Sequence, residues 1–159
     1  MRKATKRKEY LSILVVRFSS LGDIVLSTPV LSGLRARFPD ARIDYLLKEQ
    51  YAPLLEHHSS GCGVIRLTDE IRSDSAKFLD FADGLRKNGY DLVVDLQGNG
   101  RSLVLRRRIF VDYLKVKKYT LRRVALVKLG WFRGNIPDIR LRFFKTLGRR
   151  GIRARDVSG

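Results

Sequence analysis

Cysteine and histidine are scarce in this chain of 159 residues, which holds only Cys62, His57 and His58. One thiol cannot close an intrachain disulfide, so a disulfide scaffold is excluded, as is a zinc site built from several cysteines. Two adjacent histidines are a poor basis for a metal centre, and no metal is expected. Long apolar runs are missing as well. Stretches such as residues 13–16 and 124–127 fall far short of the roughly 20 residues that a membrane-spanning helix needs. The first of them is also too short for a signal-peptide core, and no small-residue cleavage site follows it. A cytoplasmic location is therefore expected, with room for peripheral contact at a membrane.

Acidic side chains are scarce in one part only. Residues 101–159 carry 18 Lys and Arg against Asp112, Asp138 and Asp156, a net of +15, whereas residues 1–100 carry 15 basic and 13 acidic side chains. The whole chain stands at +17. Such an excess calls for an anionic partner: phosphate, nucleic acid or a lipid surface. A further basic run, Arg2-Lys3-Ala4-Thr5-Lys6-Arg7-Lys8, lies in an opening tail, residues 1–10. The plainer reading of that tail is a solvated, frayed terminus. An apolar fraction of 44% is globular rather than disordered, and a chain of this length can bury roughly 70% of its unfolded surface.

The order of elements predicts the fold class. Residues 12–18 form a short, β-branched apolar run that reads as a buried strand. Residues 23–38 place Ile24, Leu26, Val30, Leu31, Leu34 and Phe38 near helical spacing, with Pro29 either kinking the helix or starting it late. Strands are expected at 42–47, 63–67 and 91–96, and helices at 51–57 and 73–87, the latter stopped by Asn88-Gly89. Strand and helix thus alternate with short connections, which predicts an α/β fold: a Rossmann-like, doubly wound parallel sheet with helices on both faces. Beyond Gln97, a helix over 101–108 and a strand over 109–116 are expected. Basic amphipathic helices are expected over 119–131 and 137–147. The packed domain is placed at 11–148, and residues 149–159 are read as a loose segment.

Ligands of open α/β sheets bind outside the carboxyl ends of the strands. Two such ends are rich in polar groups. The first is Arg17-Phe18-Ser19-Ser20-Leu21-Gly22-Asp23. Hydroxyls and free N–H groups at a helix start suit an anion, Gly22 lets a ligand approach, and Asp23 puts a carboxylate in the first turn. The same residues fit a capping box, with Ser20 as N-cap and Asp23 in the place of the usual Glu. Neither GxGxxG nor GxxxxGK[ST] is present, so ordinary dinucleotide and P-loop binding are unsupported. The second end is Asp95-Leu96-Gln97-Gly98-Asn99-Gly100-Arg101-Ser102. Gln97, Arg101 and Ser102 can meet a ligand there, or Asn99 or Ser102 can simply cap a helix. On one sheet, the two ends converge on a single crevice.

These two segments carry a resemblance. Residues 13–29, from Ile13-Leu14-Val15-Val16 through Ser19-Ser20-Leu21-Gly22-Asp23 to Ser27-Thr28-Pro29, are similar to the opening of the bacterial ADP-heptose:lipopolysaccharide heptosyltransferases, glycosyltransferase family 9. Tyr90-Asp91-Leu92-Val93-Val94-Asp95-Leu96-Gln97-Gly98-Asn99-Gly100-Arg101-Ser102 resembles that family's second marker. The resemblance implies the N-terminal, acceptor-side half of a two-domain GT-B fold, without the second domain that carries most of the donor site. It implies an inverting, metal-independent transfer from a nucleotide sugar, ADP-heptose, to a lipopolysaccharide core acceptor, with no cofactor. Carried over by position, Asp23 is the general base. Ser19, Ser20 and Gly22 bind substrate on the side of the donor phosphates and reacting sugar, Gln97, Arg101 and Ser102 on the acceptor side, and Arg17 is a further substrate-binding residue.

The implied chemistry suits the residue types. The acceptor hydroxyl must lose a proton as it attacks, which a carboxylate can take. The leaving diphosphate needs positive charge or N–H dipoles. A basic domain would also be drawn to a phosphorylated acceptor and an anionic membrane. One departure is visible: over Pro137-Asp138-Ile139-Arg140-Leu141-Arg142-Phe143-Phe144, Asp138 stands where the family often has His. Arg106-Arg107-Arg108 and Arg122-Arg123 can bind acceptor phosphates or headgroups, or be a solvated face. The alternative to a transferase is a non-catalytic basic module for nucleic acid or anionic membrane. Nucleic acid is the weaker partner, since no aromatic-rich RNA signature or zinc pattern is present.

Overall fold

A computed structural model describes residues 9–115. The expected helices over 119–131 and 137–147, the Asp138 stretch, Arg122-Arg123 and the 149–159 segment lie outside the described residues.

The elements run β1 (Ser12–Val16), α1 (Leu21–Val25), α2 (Thr28–Arg37), β2 (Arg42–Lys48), a 3-10 helix (Glu49–Leu54), β3 (Gly63–Leu67), α3 (Asp69–Ser73), α4 (Ser75–Lys87), β4 (Leu92–Asp95), α5 (Gly100–Ile109) and β5 (Asp112–Lys115). The five strands form one sheet in the order β3-β2-β1-β4-β5. Every pairing is parallel. The chain winds outward from β1 to β3, returns to lay β4 on the other side of β1, and continues outward to β5. The direction reverses between β1 and β4, and that reversal is where doubly wound sheets open a crevice.

Both faces of the sheet are covered, which explains the consecutive apolar runs. Alternate side chains point to opposite faces. Ile13 and Val15 of β1 join Leu31, Leu34, Ile43, Leu92 and Val94 in one core, on the α2 side. Leu14 and Val16 join Leu46, Phe78, Ala82, Leu85, Val93 and Leu105 in the other, on the α4 and α5 side. Burying each such side chain is worth about 1.5–3 kcal/mol. The packed domain begins before residue 11. Tyr10, assigned from sequence to the tail, is buried against Phe38 with ring centroids 5.5 Å apart, and its hydroxyl donates to Asp112 Oδ2 at 2.8 Å.

Three expected elements differ in detail, each for a local reason. The 23–38 helix is two helices that part at Leu26-Ser27, and Pro29 sits in the first turn of α2, where its missing N–H costs nothing. The expected helix at 51–57 is a 3-10 helix that starts earlier and contains Pro53. The 73–87 helix is preceded by a separate turn of helix, α3. Asp74 divides the two because its carboxylate accepts from Ala76 N and Lys77 N and so begins α4. Gly89, at φ +69°, turns the chain out of α4 as expected.

Candidate active site

The site lies at the carboxyl ends of β1 and β4, which are neighbours with Val16 opposite Asp95. The chain leaving β1 makes three backbone bonds that hold it flat against the sheet. Arg17 N donates to Leu46 O, Leu96 N to Val16 O and Lys48 N to Phe18 O, all at 3.0–3.1 Å. Phe18 turns inward into the α4/α5-side core, and Ser19 and Ser20 continue to α1, with Ser20 exposed.

Asp23 sits in the first turn of α1, a quarter exposed. Its Oδ2 forms an ion pair with Arg17 Nη2 and accepts from Ser20 N at 3.4 Å and Ser20 Oγ at 3.2 Å. The capping box expected of Ser20 and Asp23 is formed. Its oxygens are used unequally, because Oδ1 takes no hydrogen bond from the described residues. A Cβ added at Gly22 would meet nothing within 4 Å, so the space over Gly22 itself is open.

Arg17 and Gln97 join the two loops. Arg17 Nη1 donates to Leu96 O at 2.8 Å, while its other terminal nitrogen holds Asp23. Gln97 Oε1 accepts from Phe18 N at 3.1 Å. Each loop therefore sends one side chain to the other's backbone. Sequence reasoning placed these two residues on substrate; the structure places them between the loops.

Ser102 is also used differently from the expectation. It is buried, at the N3 position of a capping box with Asn99: Asn99 N donates to Ser102 Oγ and Ser102 N to Asn99 Oδ1, both at 2.9 Å. Its hydroxyl proton goes to Asp95 Oδ2 at 3.0 Å. With both hydroxyl functions spent inward, Ser102 does not line the crevice. Arg101, one position earlier, is exposed. It lines a groove of about 590 Å³ between the start of α5 and the α3–α4 junction, with Arg72, Ser73 and Ser75 on the far wall.

Asp95 is the residue that sequence reasoning passed over. Its side chain is fully buried, yet it accepts from Gln97 N at 3.1 Å, Gly98 N at 2.7 Å and Ser102 Oγ. Arg106 Nε lies 3.2 Å away as its counter-ion. The Arg106 guanidinium in turn stacks 4.3 Å from the Tyr113 ring centroid. The available signal was an acid ending the otherwise apolar run Leu92-Val93-Val94. A buried carboxylate persists only when paired and hydrogen-bonded, so its presence predicts a polar network. Arg72 carried no such signal.

The basic triplet does not act as one patch. Arg106 is turned inward, Arg108 pairs with Asp83 at 2.9 Å, and Arg107 is exposed. All three lie in the last turn of α5, away from its crevice end. Cys62 is half-buried, and burial pushes its thiol up from the ordinary range. His58 is tied to Ser60, with Nδ1 2.8 Å from Ser60 Oγ.

No protein-family model matches the chain. Single relatives do. Lipopolysaccharide heptosyltransferase 3 of Escherichia coli is 34% identical over 136 residues, covering 80% of this chain and 40% of that protein. E. coli heptosyltransferase WaaC, solved with ADP-2-deoxy-2-fluoro heptose, superposes with a TM-score of 0.59 at 25% identity, over 87% of this chain and 49% of that one. The chain is related to the heptosyltransferases of glycosyltransferase family 9. The family 9 glycosyltransferase of Veillonella parvula DSM 2008 shares the fold, with a TM-score of 0.74 at 21% identity over 96% of this chain and 44% of its own. The chain thus spans less than half the length of each of these proteins.

Proposed function

We propose that the full-length protein carrying this chain is a glycosyltransferase of the heptosyltransferase type. It moves a sugar, heptose, from ADP-heptose to a lipopolysaccharide core acceptor with inversion at the anomeric carbon. The acceptor hydroxyl oxygen attacks that carbon as the carbon–oxygen bond to the diphosphate breaks. The acceptor proton passes to Asp23, and ADP leaves. The observation that carries this reading is the state of Asp23 at the β1/β4 reversal: Oδ2 is held by Arg17 and Ser20, while Oδ1 takes no hydrogen bond from the described residues and the side chain is a quarter exposed. A general base must be held still and still have an oxygen within reach of the proton. Oδ1 is that oxygen.

The other residues divide between contact and support. Ser19 and Ser20 beside the open space over Gly22 meet the donor's phosphates and reacting sugar. Arg101, with Arg72 across the groove, meets the anionic acceptor. Arg17, Gln97 and Ser102 hold the loops from within, so their part in substrate binding is to shape the crevice. In this reading the protein needs no cofactor and works on the cytoplasmic side of the inner membrane, drawn to an anionic surface by its basic residues.

Incubating the full-length protein with ADP-heptose and a heptose-deficient lipopolysaccharide tests this directly. The expected result is acceptor-dependent release of ADP together with a heavier acceptor. Release of ADP at the same rate without acceptor, or none at all from the folded protein, contradicts it.

A further inference from the structure

α1 carries Asp23, yet it has five residues. A single helical turn cannot hold itself together, because too few bonds repay its nucleation. Its leading end is secured by Arg17 and Ser20. Its trailing end is secured from inside the core.

Ser27 follows α1 and is fully buried. Its Oγ lies 2.7 Å from Ile24 O, to which it donates, and 2.6 Å from Tyr45 Oη. A serine hydroxyl has one proton. With that proton on Ile24 O, the Tyr45 hydroxyl donates to Ser27 Oγ. Tyr45 is itself buried, on β2 next to β1. Burial pushes its phenol above the ordinary value, which favours the protonated, donating form. Ile24 O also accepts from Ser27 N at 3.0 Å. A relay therefore runs from the rigid sheet, through two hydroxyls, to the last turn of α1.

We infer that Tyr45 and Ser27 are positioning residues, which hold Asp23 in place by fixing the trailing end of α1 to β2. Neither touches a reacting atom. The inference rests on Asp23 being the base, but it is tested without turnover.

Tyr45→Phe removes one hydroxyl and keeps the ring. Ser27→Ala removes the relay entirely. Backbone 15N relaxation dispersion on the full chain reads the result. In wild type, the Gly22, Asp23, Ile24 and Leu26 amides should be as rigid as Val15 and Val94. In Tyr45→Phe, and more strongly in Ser27→Ala, exchange broadening should appear at these α1 amides and not at Val15 or Val94. Loss of a merely structural bond would leave α1 unchanged or broaden strand and helix amides alike, and either outcome overturns the inference. With an active full-length protein, Tyr45→Phe should lower kcat about five- to tenfold, as expected for one lost hydrogen bond, with both KM values unchanged. That loss should vanish in an Asp23→Asn background. An inactive wild type would tell against the proposed transfer, while the relaxation result still decides the positioning role.

Discussion

Arg17 reaches Asp23 with one terminal nitrogen and the Leu96 carbonyl with the other, at 2.8 Å. The candidate base and the second crevice loop are thus held by the same guanidinium. A change at either loop is felt at Asp23.

Arg17→Lys should therefore not restore what Arg17→Gln loses. An ammonium on a flexible stem is a point charge and cannot bridge two acceptors in a fixed fork. Because a shift of about 1 Å at a reacting group can cost roughly 100-fold, both variants should lose about 10- to 100-fold in kcat of the full-length protein. Near-wild-type turnover in Arg17→Lys would show that the fork does not position the base.

Asp95 and Arg106 should behave as a coupled pair. Removing one partner of a buried ion pair typically costs about 3–5 kcal/mol, because the other is left uncompensated. Asp95→Asn alone should lower the urea midpoint strongly. Adding Arg106→Met should recover part of the loss, since the uncompensated charge is gone. A double variant as unstable as the sum of the singles would contradict the pairing.

Alkaline pH should destabilise the fold through two phenols. Burial raises Tyr45 above its ordinary value. Burial, then the hydrogen bond to Asp44, raises Tyr90. A raised tyrosine favours the folded state fully below the unfolded value of about 10, and that contribution is lost as pH climbs past it toward the folded value. The urea midpoint should accordingly fall between about pH 9 and about pH 11. The fall should be shallower in Tyr45→Phe; an identical slope would show that Tyr45 is not a contributor.

The strand positions were legible because a doubly buried sheet writes them as unbroken apolar runs, as in Ile13-Leu14-Val15-Val16. The breaks within helices were not. The break before Pro29 holds the buried Ser27, whose hydroxyl meets Tyr45 on β2, a non-local contact with no signature in the surrounding sequence. The capping box of Ser20 and Asp23 was legible from its motif, and it uses only Oδ2 of the carboxylate. Arg17, Gln97 and Ser102 were read as facing substrate because the resemblance carried that role over by position. The two loops lie close enough to bond each other, and only the β1–β4 pairing reveals that. Asp95 was hidden because an acid in a strand gives no hint of where its partner Arg106 will fold back.

The most direct test is the rate of sugar transfer by full-length Asp23→Asn, which keeps the side chain's shape and removes its capacity to take a proton. General-base catalysis is worth about 10²–10⁴-fold. Asp23→Asn should fold, unfold thermally within a few degrees of wild type, and transfer sugar from ADP-heptose more slowly by about that factor. Transfer at the wild-type rate by the folded variant would contradict it.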